Sequence, residues 1–235
     1  MLVYLAATCA LWLLSGTLAV GTGLFLAAAS VSSRLPWRML SGTATTLTRG
    51  VPTSLLVVAA GITSIRIPPQ PWLPDLFPGT ATGSLPVAWA VVIALAIGSA
   101  GHFAVIFRTA YTALGRGRVE QSTALGLHAS RRLALLVREA ASTALPPTGA
   151  RLVHHLHNTA FAALFPVAEL FGWIENNANA TFDVIRYAAL GAGVYVVLSG
   201  LIWAAFRVLE LRLDRSRDPR LAGRHWPVPA TGGTP

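Results

Sequence analysis

The apolar residues of this chain fall into five long blocks, at about 3–30, 40–64, 85–113, 147–172 and 182–206. Some 20 consecutive apolar residues cross the roughly 30 Å hydrocarbon core of a bilayer, and each block is that long. A soluble domain of this size carries about 25% charged residues. This chain carries 11%, with a mean hydropathy of +0.58. The expectation is an all-α integral membrane fold of about five transmembrane helices. The second block is the most polar, with Thr43, Thr45, Thr46, Thr48 and Arg49 in its first half. Such side chains should face other helices or a cavity, because lipid offers them no hydrogen bonds.

Charge then orients the blocks. The sequence has 18 basic Lys and Arg against 9 acidic residues, and all 18 are arginine. So basic a chain invites a nucleic-acid reading, but the arginines cluster between apolar blocks, with no aromatic-interleaved basic face. No nucleic-acid partner is expected; the lipid bilayer is the surrounding medium. Arg34 and Arg38 follow block one. Arg116, Arg118, Arg131, Arg132 and Arg138 separate blocks three and four, and Arg207, Arg212, Arg215, Arg217, Arg220 and Arg224 follow block five. The opposite segments carry Arg66 and, at a helix edge, Arg186. The positive-inside rule puts the N-terminus outside and the C-terminus in the cytoplasm, consistent with an odd number of spans. Block one lacks a positive n-region and is too long for a signal-peptide core, so it reads as a retained helix. Residues 1–213 then form the membrane domain, and 214–235, rich in Pro and Gly, a poorly ordered cytoplasmic tail. A single Cys9 in an apolar run allows no disulfide within the chain.

Two connecting segments have character of their own. The outer loop at about 65–84 holds Pro68, Pro69, Pro71, Pro74 and Pro78 with Trp72 and Phe77. Proline removes the donors a helix needs, so a rigid external cap is expected, its aromatics at the headgroup level. The 114–146 segment is too polar to span and too regular for a loop. Residues 118–125 read as a short helix, with Gly126 supplying a left-handed turn at its end. A second amphipathic stretch follows, with Leu133, Leu136 and Val137 opposite Arg131, Arg132 and Glu139. Pro146 and Pro147 should then open the fourth span, where proline is tolerated. A helix–Gly–helix elbow between spans three and four is a rigid cytoplasmic knob, suited to transmitting force from a soluble partner.

These residues resemble the permease subunits of polar-amino-acid ABC importers. That family's Glu-Ala-Ala-x3-Gly coupling signature reads here Glu120-Gln121-Ser122-x3-Gly126, followed by Leu127. Its Leu-Pro-Pro-x-Gly matches Leu145-Pro146-Pro147-Thr148-Gly149, and its Lys-Asp-Thr-Ser-Leu-Ala-Ser run resembles the stretch from His157 to Ala163. Val167-Ala168-Glu169-Leu170 matches Val-Pro-Glu-Leu, Arg49-Gly50-Val51-Pro52 looks like Arg-Gly-Thr-Pro, and Ile106-Phe107-Arg108 like Ile-Phe-Arg-Gly. The six motifs lie in order across about residues 7–205. The chain also departs from the pattern. Gly98 stands for the family's Asn, Val105 for its Glu and Thr109 for its Gly; Gln121 and Ser122 replace the two alanines, and His157 replaces Lys. Val137-Arg138-Glu139-Ala140 stands where the family has Leu-Pro-Gln-Ala, without the proline.

The resemblance implies a subunit of an importer in the prokaryotic inner membrane. It would work beside a second permease subunit, either a copy or a different chain that retains the lost Asn and Glu. A cytoplasmic ABC ATPase dimer would drive it, and an external solute-binding protein would feed it. The sequence has no Gly-x4-Gly-Lys-Ser/Thr loop, so no cofactor is expected on this chain; ATP and Mg belong to the partner ATPase. The implied ATPase-coupling residues are Glu120, Gly126 and Leu127. The candidate substrate path, near the bilayer midplane, comprises Arg49, Ser99, His102, His157, Asn158 and Thr159, with Arg49 or the Asn158–Thr159 pair meeting an amino-acid carboxylate. The alternative for the last three is interhelical hydrogen bonding, and for Arg49 interfacial snorkelling. Arg108 fits gating or packing better than ligand contact. The solute is expected to be a small polar molecule, most plainly an amino acid, with ectoine-, betaine- or opine-type zwitterions as alternatives.

Other classes explain less. A non-transporting scaffold accounts for hydropathy but not for the elbow. A catalytic reading would need a convergent nucleophile, base and stabiliser; Ser41, His102 and Glu169 are available, but nothing in their spacing asks for them. His154, His155 and His157 suggest a metal, yet neighbouring helical residues point about 100° apart, and no carboxylate or thiol lies close in sequence.

Overall fold

The computed structural model describes residues 1–115, 120–121, 124–126 and 129–215, without the side chains of 129–135 and 214–215. Among the described residues the chain is helical and has no strand. The α-helices are α1 (Leu2–Ser30), α2 (Leu35–Gly50), α3 (Thr53–Ser64), α4 (Leu85–Ala113), α5 (Ala129–Asn158), α6 (Leu170–Thr181) and α7 (Val184–Arg215). Short 3-10 turns at Thr82–Ser84 and Thr159–Leu164 lead into α4 and out of α5.

Block three becomes the axis of the bundle. α4 packs on α1, α2, α3 and α5. Its core-facing residues Val87, Ala88, Val91, Val92 and Leu95 join Leu11 of α1 and Val57 of α3 in one apolar cluster. Close approach is possible because α4 places small residues where its neighbours cross. A Cβ on Gly98 would meet the Thr53 hydroxyl oxygen at 2.7 Å. One on Gly101 would lie 2.9 Å from the Thr45 carbonyl oxygen and closer still to the Thr48 hydroxyl. Those two glycines let the α2–α3 corner sit directly on α4.

Three described helices are long and apolar enough to cross a membrane: α1, α4 with its preceding turn, and α7. The chain is thus a multi-pass membrane protein, and the apolar blocks behind the expected spans, about five in number, do not each form a single helix. Block two breaks into α2 and α3, bent by 91°. Val51 is extended there (φ −92°, ψ 125°), as steric clash with the following proline ring demands. Counting that bent pair as one span brings the total to four. Block four is likewise redistributed. α5 runs unbroken from Ala129 to Asn158 with Pro146 and Pro147 inside it, so the prolines do not open a new helix. Packing against α4 and α7 holds α5 together across them, and the Thr148 hydroxyl donates to the Ala144 carbonyl at 2.7 Å. The same block then passes through the 3-10 turn and an extended Phe165 before α6 begins.

The proline-rich loop folds back as a cap. Phe77 is almost fully buried in the α4 cluster and meets Trp89 edge-on at 5.5 Å. The Trp89 indole donates to the Pro74 carbonyl at 3.0 Å, and Ala168 N–H donates to Thr80 Oγ1 at 3.0 Å. Phe77 is therefore a plug in the core and not a headgroup anchor, because its neighbours leave it an apolar socket; Trp72 is 74% exposed. At the same end Glu169 caps α6, its carboxylate accepting from Phe171 and Gly172 N–H. The Thr8 hydroxyl of α1 accepts from Leu170 N–H at 2.9 Å.

Candidate functional site

The interior polar groups converge on α4 midway along its length. Ser99 is fully buried, and its hydroxyl lies 2.8 Å from His155 Nδ1 of α5. The other nitrogen of that ring, Nε2, lies 2.7 Å from Ser15 Oγ of α1, and Ser15 also donates to the Leu11 carbonyl. One imidazole thus joins three helices, with both ring nitrogens satisfied. Arg151, one turn before His155 on α5, extends the cluster. Its Nη2 donates to Ser99 Oγ at 3.2 Å and to the Gly98 carbonyl at 3.4 Å.

Next along α4, His102 is half-buried within electrostatic reach of Arg151, Arg49 and His154. The Arg49 side chain crosses α4 at Gly101, where its Cγ would stand 3.0 Å from an added Cβ. Towards the end of α4 a cavity of about 220 Å³ lies between α1, α2 and α4. Ser30, Ser41, Thr45, Thr46, Arg49 and Arg108 supply its polar lining. A larger cleft of about 690 Å³, between α1, α4, α5 and α7, is lined almost entirely by apolar side chains and offers a polar solute little to bind.

Ser99 and His102 therefore lie on one stretch of α4, which Arg49 of α2 crosses at Gly101. The other three path candidates do not join them. His157 is exposed and turns to α7, 3.2 Å from Ser199 Oγ and edge-on to Tyr195. Thr159 is buried but donates to the Leu156 carbonyl in the last turn of α5. Asn158 is buried with its amide nitrogen unpartnered. Arg151 and Ser15, and His155, weighed in the sequence only as a metal ligand, are polar groups of this cluster that sequence reasoning did not place on the path. One signal for Arg151 and His155 was present: Thr148, Arg151 and His155 recur at i, i+3 and i+7, a polar stripe along one face of α5.

Of the coupling residues, Glu120 is exposed, and Gly126 adopts φ +63°, the left-handed conformation glycine takes without strain. Gly115, at φ +70°, makes a second such turn just past α4. Leu127 lies outside the described residues, as do Arg116, Arg118, Ser122 and the tail at 216–235; the side chains of Arg131, Arg132 and Leu133 are not described either. The groups available for a catalytic triad are engaged separately. Ser41 donates to the Leu26 carbonyl at 2.7 Å, while Glu169 caps α6.

Comparison with known proteins extends the likeness from motifs to fold. No family model matches the chain. It is 26% identical over 127 residues to the arginine ABC transporter permease ArtM of Haemophilus influenzae, covering 54% of this chain and 56% of that one. It is 27% identical over 135 residues to the arginine transport system permease ArgU of Corynebacterium glutamicum, covering 57% and 43%. The chain thus spans about half the length of the curated relatives it matches. Among solved structures, an amino acid ABC transporter crystallised with histidines superposes with a TM-score of 0.70 at 22% identity, over 89% of this chain and 92% of that one. The inward-facing MetNI methionine ABC transporter superposes with a TM-score of 0.66 at 15% identity, over 88% and 93%. The fold is the one seen in these ABC transporter structures.

Proposed function

We propose that this chain is the transmembrane subunit of an ATP-driven ABC importer for a small polar solute, most plainly an amino acid. The observation that carries the reading is the extent of the fold match, which takes in nearly nine-tenths of the chain alongside an amino acid ABC transporter. Relatives named as arginine permeases support the same class. The partners in this reading are a cytoplasmic ABC ATPase dimer holding ATP and Mg, a second permease subunit and an external solute-binding protein. The membrane is the prokaryotic inner membrane, with the N-terminus outside and the C-terminus in the cytoplasm.

In this reading the bundle has two packings, open to either side and separated by a small free-energy gap that ATP binding biases. The ATPase acts on the segment between α4 and α5. Two left-handed glycines, Gly115 and Gly126, set the turns of that segment, and the exposed Glu120 lies between them. Solute passes along α4, by Arg49, Ser99 and His102. The α2–α3 corner and the extended run before α6 are breaks in helical backbone of the kind that lines transport sites.

The test is co-expression of this chain with an ABC ATPase and a second permease, followed by measurement of hydrolysis in reconstituted liposomes. Association and stimulated hydrolysis are expected, and Glu120→Arg should reduce the stimulation at least tenfold. Failure to associate with or stimulate any ATPase sinks the importer reading. Full stimulation by Glu120→Arg sinks the coupling role alone.

A further inference from the structure

A run of basic side chains follows α4, from half-buried Arg151 and His102 to exposed Arg49 and Arg108, and among the described residues none of the three arginines is ion-paired. Arg151 lies against α4 at Gly98 and Ser99, and its Nε is buried without a partner. His102 follows one turn along, with Arg49 crossing beside it at Gly101. Arg49 and Arg108 then line the 220 Å³ cavity with Ser30, Ser41, Thr45 and Thr46. From residue 98 to residue 108 a helix rises about 15 Å, half the thickness of the hydrocarbon. The basic groups are spaced along that whole distance.

Acidic residues are sparse in the sequence around them. Before Glu120 the sole acidic residue is Asp75, in the cap loop, and none lies between Glu139 and Glu169. Glu169 is committed to the first turn of α6. The charges that act on His102, His154 and His155 come from arginines and other histidines alone. Among the described residues neither Arg49, Arg108 nor Arg151 forms an ion pair. Basic groups within the span of a membrane protein and without counter-ions mark the path of a substrate or ion. The planar fork of arginine fits a carboxylate with two parallel hydrogen bonds.

We propose that the solute this chain conducts is a small carboxylate of net negative charge, such as an acidic amino acid, and that Arg151 and Arg49 receive its carboxylates in turn. The proposal rests on the importer reading and narrows it. It also separates this chain from relatives named for arginine, since a cationic solute entering here would meet only like charge.

The test is binding, with no ATPase present, so its outcome is independent of coupling. The full chain, with its histidine rings labelled with 15N, is placed in nanodiscs of zwitterionic lipid. It is titrated separately with L-glutamate, L-aspartate and L-arginine, and His102→Gln assigns the His102 signals. The acidic amino acids are expected to shift the His102 ring signals and arginine to leave them in place. Arg151→Gln should raise the half-saturating glutamate concentration at least tenfold. Should that variant fail to fold, Arg49→Gln, altered at an exposed side chain, should raise it at least threefold. Shifts caused by arginine overturn the proposal, as does the absence of shifts with both acidic amino acids. If the signals move only in nanodiscs of anionic lipid, the basic run serves a headgroup and the solute assignment falls.

Discussion

α4 and α7 are both long and apolar enough to span a membrane, yet they occupy opposite environments. α4 is largely buried among four other helices, whereas few residues along the spanning stretch of α7 are fully buried. Lipid tails are as apolar as leucine, so hydrophobicity gives a helix no reason to prefer protein over lipid. What differs is the fit of particular residues. On α4, Gly98 and Gly101 are covered by α3 and α2, while on α7, Gly193 and Gly200 have no atom within 4 Å of an added Cβ. Gly191 of α7, by contrast, lies against Ile174 of α6, so glycine in a spanning helix becomes a contact only where a neighbouring residue arrives to use it.

That comparison breaks most easily with a truncation made on each helix. Leu95→Ala on α4, at a fully buried site, should cost about 2–5 kcal/mol through the cavity it leaves. Leu201→Ala on α7, 63% exposed, should cost almost nothing in lipid; thermal unfolding in nanodiscs compares the pair. If both cost the same, the burial difference between the helices is not energetic. A smaller effect is expected from enlarging glycine. Gly101→Ala should cost about 1–3 kcal/mol by overpacking against Thr45 and Thr48, while Gly193→Ala should be neutral or slightly stabilising by helix propensity. The smallest contrast lies between two serine–histidine pairs. Ser99→Ala leaves a buried His155 nitrogen without its partner and should cost about 1–2 kcal/mol, against about 0.6 kcal/mol or less for Ser199→Ala opposite the exposed His157. Equal losses there would mean the buried imidazole is not a junction between helices.

The same contrast explains what was legible in the sequence. Blocks one, three and five become α1, α4 and α7 because span length and hydropathy are local properties. The break between Gly50 and Thr53 was not legible as a right-angled corner. Pro52 marks a boundary for the helix, but the direction of the turn depends on the seat that α4 provides. Pro146 and Pro147 misled for the converse reason: their usual place is the first turn of a helix, and here neighbouring helices hold α5 straight through them. At the site, Arg49, Ser99 and His102 were accessible as polar residues in apolar surroundings. Choosing His155 over His157 required the rotation of α5 against α1 and α4, which no local pattern states outright. Arg151 completes the basic run only once α5 is laid beside Gly98.

The cap and the head of α6 carry a consequence for how the chain is made. Thr80 waits for Ala168, which follows it by 88 residues, and Thr8 waits for Leu170, 162 residues later. During synthesis, α1 to α4 thus enter the bilayer before these two hydroxyls have the N–H groups they accept from, although Thr8 already donates to the Tyr4 carbonyl within α1, and that end of the bundle is unsealed. Closure falls to a short stretch between α5 and α6 that arrives late and docks on both at once. A ribosome stalled before residue 168 would hold an inserted half-bundle that still lacks its latch.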